Sequence, residues 1–206
     1  NIPGVLTDVF IPSDAPHFPT ITEAGAVCRD ITVASGASLI DNGNLNIGGT
    51  ITVEHSAISA GRWHYISSSV SGAVSGMFYG NFLYDYTPTE ADANKYTPIL
   101  GTGVTLGGMK GYALWPKTTA FSGPFVGGLN TGEFSITTST VGAKDWNLVG
   151  NPYPSAIDWD ATTGWDRTGL SNDAVYIYQG GTSWSAYVDA AHVNGGSRYI
   201  APTQGF

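Results

Sequence analysis

Four carboxylates, Asp158, Asp160, Asp166 and Asp173, stand in one stretch of sequence with Trp159 and Trp165, and Trp184 and Tyr187 follow closely. Two chemistries suit such a cluster. Carboxylate oxygens bind calcium, and the i, i+2 spacing of Asp158 and Asp160 occurs in calcium loops, although the Gly and bidentate Glu of an EF-hand do not follow. Without a cation, the same residues serve as Asx turns and caps. Alternatively, aromatic rings beside acids and amides can stack on the apolar face of a sugar while polar neighbours take its hydroxyls. Trp159, Trp165, Trp184 and Tyr187 are the candidates for that role, against the commoner fate of such rings, which is to fill a core.

Catalytic patterns are missing. His17, His55, His64 and His192 are scattered, and neither an H-E-x-x-H zinc helix nor a G-x-S-x-G elbow occurs. Glycoside hydrolysis needs only two carboxyl groups close in space, so Glu133 with Asp145 or Asp158 is the pairing to examine. No catalytic residue is assigned, no cofactor other than calcium is implied, and the expectation is a protein that is not an enzyme. The single cysteine, Cys28, lies between Val27 and Ile31 and reads as a buried structural thiol.

The composition narrows the partners. A net charge of −8, with 8 basic residues spread along the chain, repels nucleic acid. No apolar run approaches the roughly 18 residues of a membrane helix, so membrane insertion is not expected. Because no Met or apolar leader stands at Asn1, the chain reads as a processed or excised piece of a longer polypeptide. Only 12% of residues are charged while 28 are glycine, a balance that favours turn-rich β structure.

The elements that must position these residues are short strands. From Asp8 to Val53, β-branched bursts (Val9 to Ile11, Ile31 to Val33, Leu39-Ile40, Leu45 to Ile47, Ile51 to Val53) alternate with turn residues such as Ser35-Gly36 and Asp41-Asn42-Gly43. That rhythm predicts stacked, β-helix-like rungs or tight hairpins. From Trp63 onward the apolar residues alternate: Trp63 and Tyr65 on one face, Phe82, Tyr84 and Tyr86 on another, Phe134 and Ile136 on a third. Only Glu90 to Tyr96 has helical composition, enough for two turns at most. Asn151-Pro152-Tyr153-Pro154 must leave the strand ladder and make a rigid corner, with Tyr153-Pro154 a candidate cis bond.

Two segments answer each other. Trp63-His64-Tyr65-Ile66-Ser67 and Trp146-Asn147-Leu148-Val149-Gly150 each precede a Tyr-rich strand, Phe82 to Tyr86 and Val175 to Tyr178. Each half closes on a Gly-aromatic pair, Gly111-Tyr112 and Gly205-Phe206. The expected fold is therefore all-β with minimal helix: a sandwich or jelly-roll-like module built from a duplicated Trp-led unit. Residues 1–58 form a rung segment and 59–206 the module, with halves of about 59–140 and 141–206. The second half carries an extra acidic, aromatic loop from Tyr153 to Asp173.

The run Asp145 to Trp159, containing Gly150-Asn151-Pro152-Tyr153-Pro154-Ser155, resembles a module of large secreted surface proteins of Bacteroidetes bacteria. Gly111-Tyr112, Phe121-Ser122-Gly123, Asn130-Thr131-Gly132, Arg198 to Pro202 and Gln204-Gly205-Phe206 extend the resemblance. The opening rungs are similar to the region that precedes the module in such proteins. The resemblance implies an extracellular or cell-surface location, export by the type IX route, and work in adhesion or on polysaccharide. A polysaccharide or another surface macromolecule is the partner it implies.

Overall fold

The computed structural model describes residues 2–139, 146–170 and 172–206. Strands dominate it. Among the described residues the only helices are the 3-10 turns Ser75–Phe78 and Asp92–Asn94, the second lying inside the expected Glu90 to Tyr96 segment.

The opening segment forms rungs, not hairpins. Strands β1 (Val9–Ile11), β2 (Thr20–Ile21) and β3 (Ala26–Cys28) make one circuit; β4 (Ile31–Val33), β5 (Ile40–Asp41) and β6 (Leu45–Ile47) make the next; β7 (Ile51–Val53) opens a third. Equivalent strands pair in parallel, with Val9 opposite Ile31 and Ile31 opposite Ile51. Thr20 likewise meets Ile40, and Ala26 meets Leu45. The reason is the β-branched triad itself: Ile31, Val33, Ile51 and Val53 point inward and are buried, while Thr32 and Thr52 between them point out. At the corner after β5, the Asp41 carboxylate accepts the backbone N–H groups of Gly43, Asn44 and Leu45, and Gly43 takes a φ of 84°. Cys28 is buried and unpaired in a disulfide, and burial pushes its thiol pKa up.

The next strands are β8 (His64–Ser67), β9 (Val70–Ser71), β10 (Phe82–Tyr86), β11 (Tyr96–Pro98), β12 (Gly111–Trp115) and β13 (Phe125–Leu129). β13 pairs antiparallel with both β7 and β9, so the rung sheet continues as β1-β4-β7-β13-β9. A second sheet runs β11-β10-β12-β8. Val33, Ile51 and Val53 of the rungs share one core with Ile66, Leu83, Leu114 and Phe125. Residues 1–58 thus lend both a sheet and a core to the first half.

Strands β14 (Ile157–Asp158), β15 (Ala174–Gly180), β16 (Ser183–Val188), β17 (Ala191–Val193) and β18 (Tyr199–Ile200) complete the chain. β15, β16 and β17 form an antiparallel meander, and β14 pairs with β18. Their smaller core holds Trp159, Val175, Tyr187 and Ile200.

The duplication appears in the pairing. Ser67 lies opposite Gly111 in the first half, as Gly150 lies opposite Gly205 in the second. Ile66 faces Tyr112, and Val149 and Phe206 exchange both backbone hydrogen bonds at 3.0 and 2.9 Å. The halves also interlock: Lys110 bridges to Val149 and Ile66 to Gln204, closing a ring of four short segments. The symmetry ends there. The Tyr-rich β10 joins β12, whereas its counterpart β15 folds back on β16.

Three local expectations change. Phe134 and Ile136 lie in irregular chain, not in a strand. No peptide bond is cis among the described residues, Tyr153-Pro154 included. Tyr65, Phe82 and Tyr84 occupy a single face of a single sheet, because Tyr65 is opposite Ala113 and Ala113 is opposite Tyr84; the Trp63 ring, just before β8, packs against Tyr84.

Candidate functional site: an aromatic cleft between sheet and hairpin

The acidic, aromatic loop is scaffold. Trp159 is 4% exposed and Tyr187 3%, so neither ring is available to a sugar, contrary to expectation. Trp159 Nε1 donates to Asp173 at 2.7 Å, and Trp165 Nε1 donates to the Asp158 carbonyl at 2.7 Å. These bonds let amphipathic rings enter a core, because a buried indole N–H needs an acceptor.

The carboxylates proposed as calcium ligands are each turned to a different partner. Asp158 accepts two hydrogen bonds from one edge of the Arg198 guanidinium, Nε and Nη2, which holds its carboxyl below the usual range. Asp160 accepts the Tyr187 hydroxyl, Asp173 pairs with Arg167, and Asp166 accepts the Thr168 N–H at 3.0 Å. Among the described residues, no three His, Cys, Asp or Glu side chains converge as a metal site would require. Of the carboxylates weighed for glycoside hydrolysis, Glu133 is exposed and Asp158 is engaged by Arg198; Asp145 lies outside the described residues.

The Asn151-Pro152-Tyr153-Pro154 corner is the structural device its prolines suggested. Asn151 is fully buried, and its side-chain amide donates to the carbonyls of Ser155, Ile200 and Ala201 at 2.7, 3.0 and 3.1 Å. Its side-chain oxygen accepts the Tyr153 N–H. One amide thereby ties the corner to β18.

A cleft lies elsewhere, between the outer face of sheet β11-β10-β12-β8 and the β15–β16 hairpin. Its volume is about 620 Å³, and Trp63, Tyr65, Tyr84, Tyr96, Ala113, Tyr178, Gly181, Thr182 and Trp184 line it. Period-two alternation builds the sheet wall: Leu83, Leu114 and Ile66 turn into the core, which sends Tyr84, Ala113 and Tyr65 outward. Ala113 between two tyrosines leaves the hollow. The hairpin supplies the second wall, with Tyr178 and Trp184 paired across it and their rings 4.9 Å apart. Gly180 and Gly181, at φ 95° and 64°, make its tight end, where the Gly181 carbonyl accepts the Tyr178 hydroxyl.

The walls meet through rings. Tyr65 lies 5.2 Å from Tyr178 and 5.9 Å from Trp184, centroid to centroid, and its hydroxyl is 2.6 Å from that of Tyr96. Burial raises the pKa of both tyrosines, and their mutual hydrogen bond raises that of Tyr96 further, so both keep their protons at neutral pH. The lining residues include no carboxylate, imidazole, thiol or cation. The cleft therefore offers rings for stacking and hydroxyl and backbone groups for hydrogen bonding.

Of the aromatic residues singled out in the sequence, Trp184 lines this cleft and is 39% exposed. Trp159, Trp165 and Tyr187 instead belong to the small core. Tyr178 joins Trp184 in the cleft from the same hairpin, and Trp63, Tyr65, Tyr84 and Tyr96 come from the Trp63-led unit. Their signal was present as period-two aromatics at Trp63, Tyr65, Phe82 and Tyr84, but which face met solvent was not legible.

Residues 2–201 match a family described as Domain of unknown function (DUF8693). The chain belongs to that family. The match runs through the rungs, the first half and most of the second, in keeping with the shared sheet and core. No curated protein and no solved structure matches the chain.

Proposed function

We propose that this DUF8693 chain is a non-catalytic binding module of a secreted bacterial surface protein, and that its aromatic cleft holds polysaccharide. The observation that carries the reading is the cleft lining, six aromatic rings with hydroxyl and backbone groups among them. Rings take the C–H faces of pyranoses, and the Tyr65, Tyr96 and Thr182 hydroxyls can exchange hydrogen bonds with sugar hydroxyls. The Asn151-Pro152-Tyr153-Pro154 resemblance supports the extracellular and adhesive setting. Because the acidic loop is spent on its own salt bridges, calcium is not part of the proposal.

A glycan array tests it. The chain should retain a set of glycans, and Trp184→Ala and Tyr178→Ala should each remove that signal while the far-ultraviolet circular dichroism stays unchanged. If the chain retains no glycan, or if both variants retain the same set, the cleft is not a carbohydrate site.

A further inference from the structure

The solvent face of an antiparallel sheet is ordinarily polar, yet here it is aromatic well beyond the cleft. Trp115 lies opposite Phe82 in the register of β12 and β10, one step along the face from Ala113 and Tyr84. The Trp63 ring stands edge-on to both Tyr84 and Trp115, with centroids 5.3 Å apart in each case. Phe82 is 45% exposed, with Lys117 Nζ 4.1 Å from its ring centroid. Phe82 and Trp115 are not among the residues that line the cleft, so they continue the aromatic floor outside it. At about 4.8 Å between neighbouring strands, the floor runs roughly 10 Å across the sheet from Phe82 through Trp115 to Trp63. Contiguous exposed apolar surface of this kind marks a binding surface.

Resting on the carbohydrate reading above, we infer that the ligand is an internal stretch of an extended glycan whose central unit is uncharged. Its central ring occupies the cleft over Ala113, and its flanking units lie on the Trp63–Trp115–Phe82 floor. The uncharged character of that central ring follows from the cleft lining, which holds neither a cation for a uronate or sulfate nor a carboxylate for an amino sugar; the Lys117 ammonium stands over Phe82 at the outer end of the floor. The length follows from the floor, which extends past what one pyranose covers. A site for a chain end would instead close on the ligand, and this floor leaves the cleft open on the Phe82 side.

Isothermal titration with neutral gluco-, manno- and xylo-oligosaccharides, from disaccharide to hexasaccharide, tests the inference. For the series that binds, affinity should climb about tenfold or more with length and then level off. Phe82→Ala should remove the gain made by the longer members and leave the disaccharide unchanged, while Phe82→Trp should keep it. Oligomers with a uronate or sulfate on every unit should bind at least tenfold more weakly. A disaccharide that binds as tightly as the hexasaccharide, equal losses at every length in Phe82→Ala, or preference for the charged oligomers would overturn the inference. Those three outcomes leave the cleft reading standing if Trp184→Ala still abolishes binding. Binding that survives Trp184→Ala, or no binding in any series, removes both.

Discussion

A Cβ built on Gly150 would lie 2.1 Å from the Cβ of Ser67 and 2.9 Å from the Lys110 carbonyl oxygen. This is where the two Trp-led units cross, and it explains why both close on a glycine: Gly205 would likewise meet the Ile66 backbone at 2.8 Å, and Gly111 the Val149 carbonyl at 2.6 Å. A backbone atom is among the contacts at each of the three glycines, so moving a side chain aside does not relieve them.

Gly150→Ala should therefore destabilise the chain by about 3 kcal/mol, the upper end for overpacking. Adding Ser67→Gly should recover part of the loss, since it removes the clashing Cβ but leaves the Lys110 carbonyl in place. It also forfeits the Ser67 hydroxyl bonds to the Asn151 and Gln204 carbonyls. Urea unfolding of the two single variants and the double variant measures the coupling; strict additivity would show that the two residues do not oppose each other.

The Arg198 guanidinium holds the Asp158 carboxyl below its ordinary range. A carboxylate that titrates lower in the folded than in the unfolded chain adds stability that is fully present above the unfolded value, about 4, and is lost as pH falls through the folded one. Asp158→Asn should thus flatten the decline of the unfolding midpoint between about pH 5 and about pH 3. Some decline should persist, because Asp8 beside Arg29 and Asp166 beside Thr168 are also lowered. An unchanged acid slope in Asp158→Asn would mean that the pair contributes nothing.

Ile51 is fully buried where β7 joins the rungs to β13. Ile51→Ala should cost about 2–5 kcal/mol through lost burial and a cavity. Since the rungs and the first half share one core, the unfolding should remain a single transition monitored by tryptophan fluorescence and by circular dichroism alike. A separate early transition confined to one probe would show that residues 1–58 fold on their own.

Much of the architecture was legible because it is local. A β-branched triad flanked by Gly and Asx residues can only be a short strand between tight turns, and Val9 to Ile11, Ile31 to Val33 and Ile51 to Val53 are all strands. The paired Trp-led segments are legible for the same reason, and their equivalence is realised in the Ser67–Gly111 and Gly150–Gly205 pairs. Phe134 and Ile136 show the limit: alternation was there, yet among the described residues no strand pairs with them, because a ladder needs a partner that the local pattern does not encode.

The candidate site was legible only in part. Sequence proximity gathered Trp159, Trp165 and the four aspartates into one loop, but Arg198, forty positions downstream of Asp158, neutralises that loop's carboxylate by a long-range pair. Trp63, Tyr65 and Tyr84 face Tyr178 and Trp184 only because the β15–β16 hairpin lies across the first-half sheet.

By itself, the sequence determined an all-β chain with minimal helix, the rung positions, the duplicated unit and the rigid Asn151 corner, since each rests on backbone preference and nearest-neighbour alternation. Tertiary structure alone decided that the rungs stack in parallel, that Trp159 and Tyr187 are core, and that the open aromatic surface belongs to the first unit. A ring's type and spacing say that it seeks burial or a partner; which of the two it finds depends on what distant strand arrives opposite it.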